Sequence, residues 1–288
     1  MKLRVVTAVA GIPVLLAFVY FDFEADTEWF SQVPLLIVAV GAAAALGAWE
    51  FYRLGTHAEA RPLTVFGIVW SVLFVVAALF NGEWASSPEA ASYVDWAVGG
   101  LLASAAVFPL IWLTLFCRDT WLQSWGWTVA GILYMGWMVG YYVMLRQLDH
   151  GRELVILALF TTFACDTSAY FVGRAWGKHH MTPTISPHKT WEGAAGGFAG
   201  AVAAALALHF LLNLGGWSLP LSRLEVVGVG CLIGVMAQVG DLLESLLKRR
   251  AGVKDSGNLL PGHGGVLDRI DSLVFTGVIV YYFVLWVD

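Results

Sequence analysis

The chain passes again and again through stretches of about 20 residues that are almost wholly apolar, the length a helix needs to cross a bilayer's hydrocarbon core. Nine such segments can be drawn, roughly 5–21, 34–54, 62–80, 93–116, 126–145, 154–176, 193–214, 224–244 and 270–287. The breaks between them carry Pro34, Pro62, Pro88, Gly215-Gly216 and Pro220, the residues that punctuate helices. The expected fold is therefore all-α: a polytopic integral membrane protein of about nine transmembrane helices. Composition agrees. Of 288 residues, 59% are hydrophobic and 13% charged, whereas a soluble domain carries about 25% charged residues. With a mean hydropathy of +0.73, most of the surface must face something other than water.

Orientation follows from the cations. If the N-terminus is cytoplasmic, the cytoplasmic side holds Lys2, Arg4, Arg53, Arg61, Arg118, Arg174, Lys178, Lys189, Lys248, Arg249, Arg250, Lys254 and Arg269, and the other side only Arg146, Arg152 and Arg223. A split of 13 to 3 fits the positive-inside rule and places the C-terminus outside. Residues 5–21 follow Lys2 and Arg4 as a signal peptide would. They end in Phe18 to Phe21 and then acidic residues, not a small-residue cleavage site, so a retained first span is expected. Cys117, Cys165 and Cys231 are odd in number and lack C-x-x-C spacing, which supports neither a disulfide framework nor a zinc site. Packing is their expected role. Trp121, Trp125 and Trp127 near span ends are expected to be interfacial anchors.

The two halves differ. Residues 1–150 alternate apolar spans with short loops and hold few polar groups at depth; residues 151–288 concentrate Asp, Glu, Lys, Arg, His and Gly in two cytoplasmic loops. Two domains follow, 1–150 of transmembrane helices and 151–288 bearing the site. The densest site candidate runs from Ser245 to Asp271. It offers Asp255, Asp268 and Asp271, with Asp241 and Glu244 just upstream, as oxygen ligands. Lys248, Arg249, Arg250, Lys254 and Arg269 are phosphate partners. Carboxylates beside cations at a membrane face suit a polyphosphate bound through a hard divalent ion. Asp241, Ser245 and Lys248 share one helix face at i, i+4 and i+7. Asp268 and Asp271, at i and i+3, open the last helix, where acids favour the N-terminal dipole. Between them Gly262, His263, Gly264 and Gly265 give a backbone that can approach a ligand closely.

A second constellation precedes it. Asp166 lies within the apolar run from Leu154 to Trp176, and a carboxylate at that depth is a functional candidate by default. Tyr170, Gly173, Arg174, Gly177 and Lys178 follow. Then Ile185 to Gly193 forms a short loop containing Ser186, Lys189 and Glu192. Lys189 is a candidate phosphate ligand. Gly193, Gly196, Gly197 and Gly200 form small-residue faces suited to close helix packing, and Cys165, His209 and Met236 are expected to pack.

At these residues the chain resembles the phosphatidate cytidylyltransferases, or CDP-diacylglycerol synthases. The resemblance lies in Ser245 with Lys248-Arg249, then Lys254-Asp255, then Pro261 with His263-Gly264-Gly265, then Asp268-Arg269 with Asp271. Upstream, Asp166 to Tyr170, Gly173-Arg174 and Ser186 to Gly193 also look like the family's pattern. The resemblance implies an all-helical membrane enzyme that turns CTP and phosphatidate into CDP-diacylglycerol and pyrophosphate. It needs Mg²⁺, is helped by K⁺, and works as a homodimer. Its implied place is the cell's inner membrane, crossed many times, with the site on the cytoplasmic side and no nucleic-acid partner.

On that reading Asp241 and Asp268 hold the metal, with Asp166 and Asp271 as neighbouring or second-cation groups. Lys248, Arg249, Lys254 and Lys189 neutralise the leaving phosphates. Ser186, Ser245, Asp255, His263, Gly264, Gly265 and Arg269 line the substrate. Two other classes compete with this reading. A secondary transporter would show polar groups near the midplane and an inverted repeat, which the chain lacks; a CTP-dependent lipid kinase would transfer the γ-phosphoryl group instead.

Overall fold

The computed structural model describes residues 34–81, 88–117, 119–259 and 264–287. The expected first span, Arg118 and His263 lie outside the described residues. The helices are α1 (Pro34–His57), α2 (Thr64–Ala77), α3 (Pro88–Phe116), α4 (Trp121–Gly131), α5 (Met138–Arg146), α6 (Gly151–Trp176), α7 (Trp191–Leu214), α8 (Arg223–Arg250) and α9 (Leu267–Val287). A 3₁₀ turn, Ala78–Asn81, extends α2, and the π-helical segment Ile132–Trp137 joins α4 to α5.

Among the described residues, seven helices are long and apolar enough to cross a membrane: α1, α3, α4 joined through to α5, α6, α7, α8 and α9. The expected span at 62–80 is a shorter apolar helix, Thr64–Phe80. At 1.5 Å per residue it reaches only about 25 Å, below the roughly 30 Å of a hydrocarbon core. Pro62 stops it at one end, and the chain tightens to 3₁₀ geometry at the other.

The helices form two compact units. The first holds the described residues up to Gln147 together with Arg250–Arg269; the second holds Leu148–Arg249 and the chain from Ile270 onward. Residues 250–269, grouped by sequence with the second half, thus pack in the first unit.

In the first unit Tyr52 of α1 is completely buried, and its hydroxyl donates to the Thr128 carbonyl at 3.0 Å. Gly67 of α2 and Gly131 of α4 give its ring room; a Cβ at either would collide with it. Phe51 packs beside it against Trp127 and Tyr134, at ring-centroid distances of 5.0 and 5.8 Å. Trp125 Nε1 donates to the Ala106 carbonyl at 2.9 Å. Trp125 and Trp127 therefore tie helices together and are not simply interfacial anchors. Position near a span end suggests a lipid anchor, but the polar edge of Trp125 is used within the protein.

The second unit is built on close backbone approach. A Cβ added at Gly196 of α7 would stand 2.5 Å from Val172 Cβ of α6, one at Gly197 would stand 2.9 Å from Ala169 Cβ, and one at Gly200 would strike Ser168. The small-residue face read from the sequence is thus a helix contact, and the missing side chains set its closeness. Cys165, Ala201 and Ala237 form a buried cluster that adds α8 to the pair.

Between α6 and α7, among the described residues, lies a two-stranded departure from the all-helical fold. Strands β1 (His180–Thr182) and β2 (Ser186–Thr190) pair antiparallel, with His180 opposite Thr190 and Thr182 opposite Ser186. The sequence reading has a plain loop here. Pro187 lacks an amide hydrogen, but in a two-stranded ribbon both strands are edges, where proline is tolerated. The hairpin ends in a helix cap: Thr190 is extended, and its Oγ1 accepts the Gly193 amide at 3.1 Å.

Candidate active site

The second unit contains a cavity of about 490 Å³. Three elements supply its charged and polar wall. From α6 come Asp166, Tyr170 and Arg174; from the hairpin His180, His188 and Lys189; and from α8 Gln238 and Asp241. Lys189 Nζ and Asp241 Oδ2 form an ion pair at 2.7 Å across it. The cap at Thr190 fixes where β2 ends, so it fixes where the preceding Lys189 points. Arg174 Nη1 donates to the Tyr170 hydroxyl at 3.0 Å, one turn apart on α6. Glycines 173, 177 and 193 also line the wall, so part of it is bare backbone that a ligand can reach.

Other expected residues of this unit surround the wall. Asp271 is buried and interacts electrostatically with Asp241, Asp166 and Lys248. Its Oδ1 accepts the Ser272 amide at 2.7 Å, while the Ser272 hydroxyl lies 3.4 Å from Asp166 Oδ1. Asp166 is exposed: its place within an apolar run is explained by an opening onto the cavity. Lys248 pairs with the fully buried Glu244. Glu244, offered by the sequence as an oxygen ligand, is thus a buried counter-ion. Arg249 Nε donates to the Ile185 carbonyl at 2.9 Å, which ties the end of α8 to the hairpin turn. Ser245 Oγ stands 3.4 Å from Asp241 Oδ1. Ser186 sits at the start of β2, outside the cavity lining.

The first unit holds the rest of the Ser245–Asp271 stretch. Asp268 Oδ2 accepts the Ser256 amide at 3.0 Å, the Ser256 hydroxyl at 2.9 Å and the Gly265 amide at 2.8 Å. Gly264 has φ +81°, a conformation that suits glycine and turns the Gly265 amide toward that oxygen. Lys254, Asp255 and Arg269 are exposed. Asp241 and Asp268, paired by sequence as metal ligands, belong to different units.

Sequence reasoning passed over three kinds of residue. Gln238 lies one turn before Asp241, and its Nε2 donates to the Gly234 and Ala194 carbonyls at 2.7 and 3.1 Å; its i, i+3 spacing to Asp241 was the available signal. His180 and His188 line the cavity only because the hairpin brings them there. Glu50 of α1 is fully buried and lies against the Asp268 loop, and a lone acid in an apolar run was its signal.

Among the described residues no three His, Cys, Asp or Glu side chains stand together as a ready-made metal cage. What Asp241 offers is a partly exposed carboxylate on a cavity wall, with Asp166 on the same wall and Asp271 behind. All are hard oxygen donors. That suits Mg²⁺, which commonly takes one or two carboxylates and completes its shell with phosphate oxygens and water.

Comparison with known proteins bears on this geometry. Residues 2–287 match the cytidylyltransferase family. The chain belongs to that family. Phosphatidate cytidylyltransferase of Brucella abortus (strain 9-941) is 42% identical over 265 residues, covering 89% of this chain and 87% of its own. The protein of the same name from Pseudomonas aeruginosa is 34% identical over 292 residues, covering 99% and 97%. That of Bacillus subtilis is 38% identical over 183 residues, 63% of this chain and 66% of its own. As a member of the cytidylyltransferase family the chain is a nucleotidyltransferase.

Proposed function

We propose that this protein is a phosphatidate cytidylyltransferase, converting CTP and phosphatidate into CDP-diacylglycerol and pyrophosphate in phospholipid synthesis. The observation that carries the reading is the Lys189–Asp241 pair on a cavity wall shared with Asp166 and Arg174, in a chain whose relatives bear that name. An oxygen of the lipid phosphate attacks the α-phosphorus of CTP. The new P–O bond forms as the bond to the oxygen bridging α- and β-phosphorus breaks, and pyrophosphate leaves with that electron pair. The nucleophile is already anionic and needs no strong base, so catalysis is positioning and charge stabilisation.

Lys189 turns from Asp241 to the nucleotide phosphates, and Asp241 is then open to a cation. Arg174 adds a second positive group on the same wall. Lys248 is held by Glu244 within reach of the carboxylates, and Arg249 keeps the hairpin that carries Lys189 in place. Asp241, with Asp166 or Asp271, would hold Mg²⁺, which would neutralise phosphate charge; a metal role for Asp268 comes from the family resemblance alone. Lys254, Asp255, His263 and Arg269 are assigned to the substrates by the resemblance alone, as are the K⁺ requirement and the homodimer. Nine crossings of the inner membrane are reached if the seven candidate spans are joined by the apolar run at 5–21 and by the short helix Thr64–Phe80, around which the bilayer thins by a few ångströms. The N-terminus and the site then face the cytoplasm, where CTP is available.

The deciding experiment uses the purified protein with phosphatidate, Mg²⁺ and CTP labelled at the α-phosphate. Label is expected in the lipid with release of pyrophosphate. Label recovered only as CDP, with a γ-label entering lipid, would identify a kinase and overturn the proposal.

A further inference from the structure

Glu50 lies in α1, far in sequence from every motif described above, and its side chain is completely buried. A carboxylate taken out of water without partners is costly, so such a group persists where it is held by hydrogen bonds. Its Oε2 accepts the amide of Leu267, the first residue of α9, at 2.8 Å. That amide is one of the helix-start donors with no partner inside the helix. The same oxygen lies 3.3 Å from the Ser256 hydroxyl, and Ser256 also stands 2.9 Å from Asp268 Oδ2.

A hydroxyl has one hydrogen to give. The shorter contact directs it to Asp268, leaving Glu50 bound chiefly to the start of α9. Two glycines confirm how closely the loop is moulded on this acid: a Cβ at Gly257 would collide with Glu50 Oε1, and one at Gly265 with Oε2 and Ser256 Oγ. Gly265 is also the residue whose amide binds Asp268. Glu50 thus touches Ser256, Gly257, Gly265 and Leu267, and three of these either donate to Asp268 or immediately precede it.

We propose that Glu50 is a positioning residue for the transfer reaction, seating Ser256, Gly257, Gly265 and the first turn of α9 so that the Asp268 carboxylate is held in one orientation. The role rests on the function proposed above, with Asp268 as one of its working groups. It is not a ligand of substrate or metal; it acts on Asp268 through Ser256, Gly265 and the helix start. Partners of this kind behind a metal-binding carboxylate commonly account for about 10–100-fold in affinity or activity.

The test compares Glu50→Gln, Glu50→Leu and Ser256→Ala with the unaltered protein, all purified in one detergent. Label transfer from CTP, the Mg²⁺ concentration giving half-maximal rate, and the Mg²⁺-dependent rise in melting temperature without substrates are measured. Glu50→Gln keeps an acceptor for the Leu267 amide and is expected to stay within a few-fold of wild type. Glu50→Leu fills the same space without an acceptor. It is expected to lower kcat about 10–100-fold, raise the half-maximal Mg²⁺ several-fold and leave KM for CTP within about two-fold. Ser256→Ala, a milder change that leaves the α9 seat intact, is expected to shift the Mg²⁺ dependence in the same direction. If wild type transfers label and both Glu50→Leu and Ser256→Ala keep wild-type kcat and Mg²⁺ dependence, the positioning role is wrong. If Glu50→Leu does not fold, Ser256→Ala decides alone. Absence of transfer in wild type would instead strike the proposed function.

Discussion

A lysine and an aspartate 2.7 Å apart on an open cavity wall neutralise one another only while nothing else occupies the space. Both are partly exposed, so the pair adds little to stability, and its value lies in what each partner binds once parted. Lys189→Met is therefore expected to leave the melting temperature nearly unchanged while lowering kcat/KM for CTP about 10²–10³-fold, the size of a lost preorganised charge contact. Initial rates at varied CTP, beside a thermal melt, check this; a variant with near-normal kcat/KM would remove Lys189 from the chemistry. Single residues were legible where charge broke an apolar run. Asp166 was found that way, and the structure opens it to the cavity. The same rule applied to Glu50, but the run at 34–54 had no motif beside it and was read as an ordinary span. Asp241 was legible from its helical spacing to Ser245 and Lys248. Its pairing with Lys189 was not, because 52 positions separate them and only the fold joins them.

At the scale of elements, the long helices follow directly from apolar length, and the α6–α7 contact from the glycines of α7. Because these helices meet backbone to backbone, Gly196→Leu is expected to force them apart. Overpacking of this kind costs about 1–3 kcal/mol. It should appear as a melting point lowered by several degrees, with activity falling because Asp166 and Arg174 move with α6. Gly99, with open space where a Cβ would stand, is the control: Gly99→Ala should melt like wild type. Equal melting of Gly196→Leu and Gly99→Ala would mean that the close approach carries no weight. The β-hairpin was not legible. Its strands span three and five residues, too short for alternation to register, and Pro187 argued against a strand. The Thr190 cap was the better clue, since a threonine three residues before Gly193 marks where a helix begins.

For the whole molecule, the sum of loop charges was more informative than any one loop. On the proposed nine-span orientation, in which thirteen cations stand against three, Lys254 lies in the cytoplasm and Asp288 on the opposite face. With Cys117, Cys165 and Cys231 replaced, Asp288→Cys is expected to react with an impermeant maleimide in intact cells, and Lys254→Cys only after permeabilisation. Reaction of both would remove the last crossing, and reaction of Lys254→Cys alone would reverse the orientation.

The grouping of residues 250–269 with the N-terminal helices bears on how the protein can be taken apart. A polypeptide beginning at Leu148 would contain Lys189, Asp166, Asp241 and every residue from Ser245 to Asp271. Its glycine loop would nevertheless have lost the acid against which its backbone is moulded. The C-terminal half is accordingly not a portable cassette. A chimera that borrows it from another organism must also bring α1, or place a carboxylate at the same depth in its own first-half helix.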